Sequence, residues 1–217
     1  MLMARTTKWT DDYWLMIVQL YLQKPVGVKP VYSRPMVKLA LELHIAPDVL
    51  HDKMCAVANL ETPRIERIWQ KYGSSPRRLA RAVALLRRMN GFGNAEEFYS
   101  GVAVKETFER DFRPIEGLEG VMPFMLVLIL DLYFRLTPPT MVALTPEVAA
   151  LAKLMHVGTD VVVDAMAAFR HCDPYLHRKA PKDGPLLEAC REIWHRYGNT
   201  DPTELAAYAA ELREYFG

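Results

Sequence analysis

The sequence predicts an all-α protein: a tandem duplication of a four- to five-helix bundle, each copy with a helix-turn-helix-like corner. Three observations predict it. No segment alternates apolar and polar residues long enough for a strand, while apolar residues recur at helical spacing along the whole chain. The chain also matches itself at an offset of 112, laying Ile17–Val57 over Ile129–Phe169 without a gap, with identities such as Leu20/Leu132, Tyr21/Tyr133, Ala40/Ala152, His44/His156 and Met54/Met166. The match resumes at an offset of 125, where "IWQKYG" at Ile68–Gly73 falls over "IWHRYG" at Ile193–Gly198, and then at 126, which aligns Pro76 with Pro202 and Arg87 with Arg213. A self-match that keeps its spacing through several elements marks a unit with its own fold. Residues 1–92 are therefore expected to form a first helical repeat, 93–120 a partly helical connector, and 121–217 a second repeat.

The elements follow in order. Thr10 is an N-cap candidate, with Asp11 and Asp12 in the first turn and Trp14, Ile17, Val18, Tyr21 and Leu22 at helical spacing behind it. Pro25, Gly27 and Pro30 mark a loop. Ser33 caps the next helix, with Met36, Val37, Leu39, Ala40 and Leu43 inward; in the second copy Thr145 takes the cap and Pro146 the first helical position. These helices end near His44 and His156, and Asp48 and Asp160 read as N-caps of the helices that follow. Ala40 and Ala152 let the two helices of each corner approach, and Val49 and Val161 are expected to pack back into the angle. Ser75-Pro76 and Asp201-Pro202 open the last helix of each copy, the first of which stops at Asn90-Gly91. Residues Tyr175–Pro185 form a charged loop special to the second copy.

Composition narrows the class. Of 217 residues, 51% are apolar and 24% charged, enough for a real core. The longest apolar stretch, Val121–Leu130, is half the length of a membrane span, and Met1–Trp14 has no signal-peptide h-region. The three cysteines, Cys55, Cys172 and Cys190, form no Cys-x-x-Cys pair and read as free thiols of a cytoplasmic protein. Charge is unevenly placed: residues 1–112 carry 17 basic and 12 acidic side chains, the remainder 10 and 14. The first copy could attract polyanions; the halves could equally attract each other.

The strongest basic feature is the last helix of the first copy, with Arg77, Arg78, Arg81, Arg87 and Arg88. Arg77, Arg81 and Arg88 share one face, and Leu79, Val83 and Leu86 another. Arg77, Arg78, Arg81 and Arg88 are the candidate phosphate contacts, with Lys53 on the second corner helix as a fifth. A solvated helix face is the competing reading. Thr203, Glu204, Ala207, Arg213 and Glu214 occupy the matching region of the second copy, so the role would belong to one half. The second corner helices bring Asp48 and Asp52, or Asp160 and Asp164, where a groove-reading helix brings Arg, Lys, Asn or Gln, which favours a structural corner.

"LYLQKP…SRPMVKLALELHIAPDVLHDKMCAVANLE" and "LYFRLTPP…LTPEVAALAKLMHVGTDVVVDAMAAFRHCDP" resemble the helical N-terminal region that precedes the nuclease domain in some bacterial HNH-type endonucleases. The matching residues are Trp9-Thr10, Leu20-Tyr21, Leu39-Ala40, Val49, Lys53 and Met54 in the first copy. In the second they are Leu132-Tyr133, Leu151-Ala152, Val161, Met166, Phe169 and Asp173-Pro174. No HNH core follows. The resemblance implies a DNA-associated accessory module without nuclease activity.

Other constellations are weaker. His44 and His156 suit helix C-termini, where a His complements the dipole. His171, Cys172, Asp173 and His177 could in principle gather a metal, but the first copy lacks all four. Trp69/Trp194 and Tyr72/Tyr197 read as packing anchors. There is no Gly-rich phosphate loop, nucleophile elbow or pair of catalytic carboxylates. The expectation is thus a non-catalytic, cytoplasmic, DNA-associated module with no cofactor, metal or membrane partner. The alternative is a protein-interaction or self-associating scaffold, with an exposed apolar patch around Val161–Val163.

Overall fold

The structure is a computed structural model, and it describes residues 9–89, 92, 108–176 and 183–217. The described residues form eleven α-helices and two short 3₁₀ turns and contain no strand. The chain divides into two compact units, residues 1–105 and 106–217. Of the connector expected over 93–120, residues 93–107 lie outside the described residues, and Phe108–Asp111 is helical and belongs to the second unit.

The first unit holds α1 (Tyr13–Leu22), α2 (Arg34–Leu43), α3 (Pro47–Ala58), α4 (Pro63–Tyr72) and α5 (Pro76–Arg87). The second holds α6 (Phe108–Asp111), α7 (Pro123–Arg135), α8 (Pro146–Met155), α9 (Thr159–Cys172), α10 (Pro185–Tyr197) and α11 (Pro202–Arg213). Moved by the sequence offsets, α2 coincides end for end with α8, and α5 with α11. α1 packs against α3, α4 and α5; α7 packs against α9, α10 and α11.

α7 shows why these bundles have a centre. Phe124 to Tyr133 are buried without interruption, as a helix that is apolar all round must be when other helices surround it. This run takes in Phe124–Leu130 of the apolar stretch seen in the sequence, and no described helix is long and apolar enough to cross a membrane. The one acid in that run, Asp131, is 7% exposed; it accepts from Arg135 at 2.7 Å and has Arg213 at 3.8 Å, which keeps a buried carboxylate compensated. α1 buries Trp14, Met16, Ile17, Val18 and Leu20. Its end is held by Lys29, whose ammonium donates to the carbonyls of Gln23 (2.7 Å) and Pro25 while its stem is almost wholly covered.

The caps differ from expectation in chemistry more than in place. α1 begins at Tyr13, after Thr10-Asp11-Asp12, and the two aspartates instead flank Arg64 of α4. Ser33 and Thr145 stand at the N-caps of α2 and α8, but their hydroxyls donate backwards, to the carbonyls of Pro30 and Thr140. Asp48 and Asp160 are not caps: Ala46 and Gly158 are, and the aspartates lie in the first turn, where they complement the dipole. Thr62 and Asp201 do cap, accepting from Ile65 N–H at 3.3 Å and Thr203 N–H at 2.7 Å.

Each corner turns over three residues, 44–46 and 156–158. His44 and His156 end α2 and α8 in the left-handed region, at φ 53° and 57° with ψ 38° in both. The next residue's N–H then returns to Ala40 O or Ala152 O, at 3.1 Å in each case. Val49 does not pack into the angle; it is 38% exposed, and Val161 is half-buried. The residues that fill it are one position on, Leu50 and Val162, both fully buried. The same shift of about 100° around the helix removes the apolar patch expected at Val161–Val163, since Val162 faces the core.

Candidate nucleic-acid interface

α5 begins at Pro76 after Ser75 and presents Leu79, Val83 and Leu86 to the core, at i, i+4 and i+7. That register turns Arg77, Arg78, Arg81 and Arg88 outward, and all four are exposed. Arg87 is different: its guanidinium makes a two-pronged pair with Glu42 of α2, at 2.5 and 2.9 Å. Arg77, Arg81 and Arg88 have no hydrogen-bond or ion-pair partner among the described residues. Arg78 lies over the Tyr72 ring at 5.8 Å, and the Lys71 ammonium lies 5.2 Å from the same ring, so a second cation joins the N-terminal end of the row. Among the described residues, no acidic side chain pairs with this row of positive charge.

Lys53 stands on α3 rather than α5. It is half-buried, with its ammonium over the rings of Trp9 (5.2 Å) and Trp14 (5.6 Å). Arg77, Arg78 and Arg81 are exposed on α5 and Arg88 at its C-cap, while Lys53 stands on another helix over the Trp9 and Trp14 rings.

Two residues of the face went unnoticed in the sequence. Leu85 and Met89 are 65% and 60% exposed; Leu85 lies on α5 between Arg81 and Arg88, and Met89 follows the C-cap. The core period of Leu79, Val83 and Leu86 could have shown this, since Leu85 and Met89 fall outside it. The rest of the α3 surface offers no comparable row: Asp48, Val49 and Asp52 point outward.

In the second unit the equivalent of the Lys71–Tyr72 pair is tied down. Arg196 lies over Tyr197 at 5.0 Å and donates two bonds of 2.7 Å to the buried carboxylate of Asp111. The hydrogen bonds to Asp111 raise the Arg196 guanidinium well above its ordinary value. One turn earlier on α10, Glu192 pairs with Arg110.

The repeated Trp and Tyr are packing residues. Tyr21 meets Trp69 edge to face at 5.8 Å and 76°; Tyr133 meets Trp194 at 5.9 Å and 79°. The glycine that closes each "IW..YG" string lies against this Trp: a methyl group on Gly198 would come 2.7 Å from the Trp194 ring, and one on Gly73 3.4 Å from that of Trp69. Of the four candidate metal ligands, His177 lies outside the described residues. Asp173 accepts from the Tyr133 hydroxyl at 2.8 Å and from Tyr175 N–H at 2.9 Å. No group of three possible ligands occurs among the described residues. His171 and Cys172 instead line an open cleft with Arg191, Trp194, His195 and Asn199. All three cysteines are free, and burial pushes the Cys190 thiol well up.

Comparison with family models, curated proteins and solved structures finds no match to this chain.

Proposed function

We propose that this chain is a non-catalytic, DNA-associated helical module whose first unit supplies the affinity through Arg77, Arg78, Arg81 and Arg88. The observation that supports it is the α5 face: four exposed arginines in one row, none with an acidic partner among the described residues, while the neighbouring Arg87 is engaged by Glu42. Phosphate neutralisation needs mobile, unpaired cations at the surface, and sequence-independent affinity follows from their number. α3 is assigned to the corner, because its outward side chains are acidic or apolar. We further infer that the two units are copies of one bundle with helix-turn-helix-like corners. Coincident element bounds, the left-handed histidines and the matched Tyr–Trp pairs support this. A cytoplasmic location fits three free thiols.

The test is anisotropy of a labelled duplex at rising salt. Four phosphate contacts give a log–log slope of about −3.6, so affinity falls roughly a hundredfold between about 50 and 200 mM salt. Reversing all four arginines to Glu abolishes binding. No binding at low salt, or binding that survives the reversal, overturns the proposal.

A second reading rests on Leu85 and Met89. Exposed apolar side chains among arginines also suit a protein partner or self-association. Light scattering separates the two: a stable oligomer that Leu85→Glu with Met89→Glu disperses, and that Arg→Glu changes leave intact, favours this reading.

A further inference from the structure

The C-terminal end of α9 and the exposed side of α10 enclose an open cleft of about 410 Å³. His171 and Cys172 come from α9, Arg191, Trp194 and His195 from α10, and Asn199 from the turn after it. No carboxylate is among these lining residues. The guanidinium, the imidazoles, the carboxamide and the indole N–H can all donate hydrogen bonds. The Cys172 thiol is kept protonated by burial against the pull of Arg191. The nearest acid to Arg191 is Asp183, 3.9 Å away and almost fully exposed, a pairing too loose to hold the guanidinium. Trp194 is fixed from behind by Tyr133 and Phe134 and contributes a half-buried ring.

The first unit supplies an internal comparison. At the sequence offsets, His171, Cys172, Arg191, His195 and Asn199 replace Asn59, Leu60, Glu66, Gln70 and Ser74, while Trp194 keeps Trp69. One scaffold position has reversed its charge from Glu66 to Arg191, and two neutral side chains have become His. The Tyr–Trp edge contact beneath recurs in both units, and Trp194 packs in addition on Phe134 and Phe169.

We propose that this cleft binds a small organic phosphate of nucleotide size, with the phosphate on Arg191, His171 and His195 and a planar ring against Trp194. Guanidinium and imidazole groups recognise phosphate oxygens in a planar, charge-assisted way, and an aromatic platform accepts any base. The volume lies within the range of small-molecule sites.

The experiment follows the Trp194 indole N–H by NMR on the full chain, titrated with inorganic phosphate, with AMP and with a 5′-phosphorylated oligonucleotide. The expected result is a saturable shift at millimolar phosphate and tighter binding of AMP; the oligonucleotide arm tells a free nucleotide from a strand end. Arg191→Glu and His195→Gln install the residues the first unit carries at these positions, so both variants are compatible with the fold. Each weakens AMP binding about tenfold or more, the effect of one lost charge-assisted bond. Reversal of the α5 arginines leaves this binding unchanged, which separates it from the duplex affinity proposed above. No shift with any of the three probes, or AMP binding that both cleft variants leave intact, overturns the proposal.

Discussion

Replacing Tyr133 by Phe removes one oxygen from a site where its partner is known and its twin provides the control. Tyr133 is 3% exposed, and its hydroxyl donates to Asp173 at 2.8 Å. A hydrogen bond to a charged acceptor contributes about 1.5–3 kcal/mol net. Asp173 is half-buried and keeps its bond from Tyr175 N–H, so the lower end applies, about 1.5 kcal/mol. The ring and its edge contact with Trp194 stay. Tyr21 has the same ring geometry against Trp69, but its hydroxyl has no partner among the described residues, so Tyr21→Phe costs less than about 0.5 kcal/mol. Urea unfolding followed by circular dichroism measures both. The difference also depends on pH. Burial, and then Asp173, raise the Tyr133 phenol above its ordinary 10.0. Folded protein thus keeps a proton that unfolded chain releases; the stability is complete below about pH 10 and is lost as pH rises beyond it. Tyr133→Phe removes that alkaline loss. Equal costs for the two Tyr→Phe changes, or an alkaline limb unaltered by Tyr133→Phe, refute the reasoning.

Three further outcomes follow from the packing. Asp111→Asn breaks a two-pronged pair with Arg196 on a 6% exposed carboxylate; it costs about 2 kcal/mol, below the full figure for buried pairs because Arg196 is partly solvated, and hydrogen exchange over Phe108–Asp111 accelerates. Gly198→Ala puts a methyl group 2.6 Å from the Trp194 carbonyl oxygen and 2.7 Å from its ring, while Gly73→Ala meets the Trp69 carbonyl oxygen at 2.7 Å and the ring only at 3.4 Å; thermal melts give about 1–3 kcal/mol for each, with the larger loss at Gly198, where both carbonyl and ring are crowded. Cys190 is fully buried and its thiol is raised above 9.0 by burial, so stability falls above about pH 9 by up to about 1.4 kcal/mol per pH unit; Cys190→Ala flattens that limb in urea midpoints measured across it.

The helical class and several helix starts are legible because apolar period and proline position act locally, whereas α1 starts at Tyr13 and α5 ends at Arg87, short of Asn90-Gly91. Pro76, Pro146 and Pro202 begin their helices where the sequence placed them. What the cap residues do was not legible. Ser33 and Thr145 mark the right positions, yet their hydroxyls follow the path of the preceding loop, which no local pattern encodes. Leu50 rather than Val49 fills the corner, because one residue is about 100° of rotation and the helix start sets which of the two faces inward. The arginine row was readable from its spacing. The cleft was not, because its two walls come from helices separated by the segment special to the second copy; the one available sign was the exchange of Glu66 for Arg191 between the copies.

The short α6 limits how the protein can be dissected. Arg110 and Asp111 reach Glu192 and Arg196, one turn apart on α10, and Phe112 stacks on Phe124 at 4.8 Å. A fragment starting at Val121 would strip both ionic latches and lay a core aromatic open to water. Anyone excising the C-terminal half to ask what it binds should cut upstream of residue 106, or the isolated piece will report its own damage rather than its affinity.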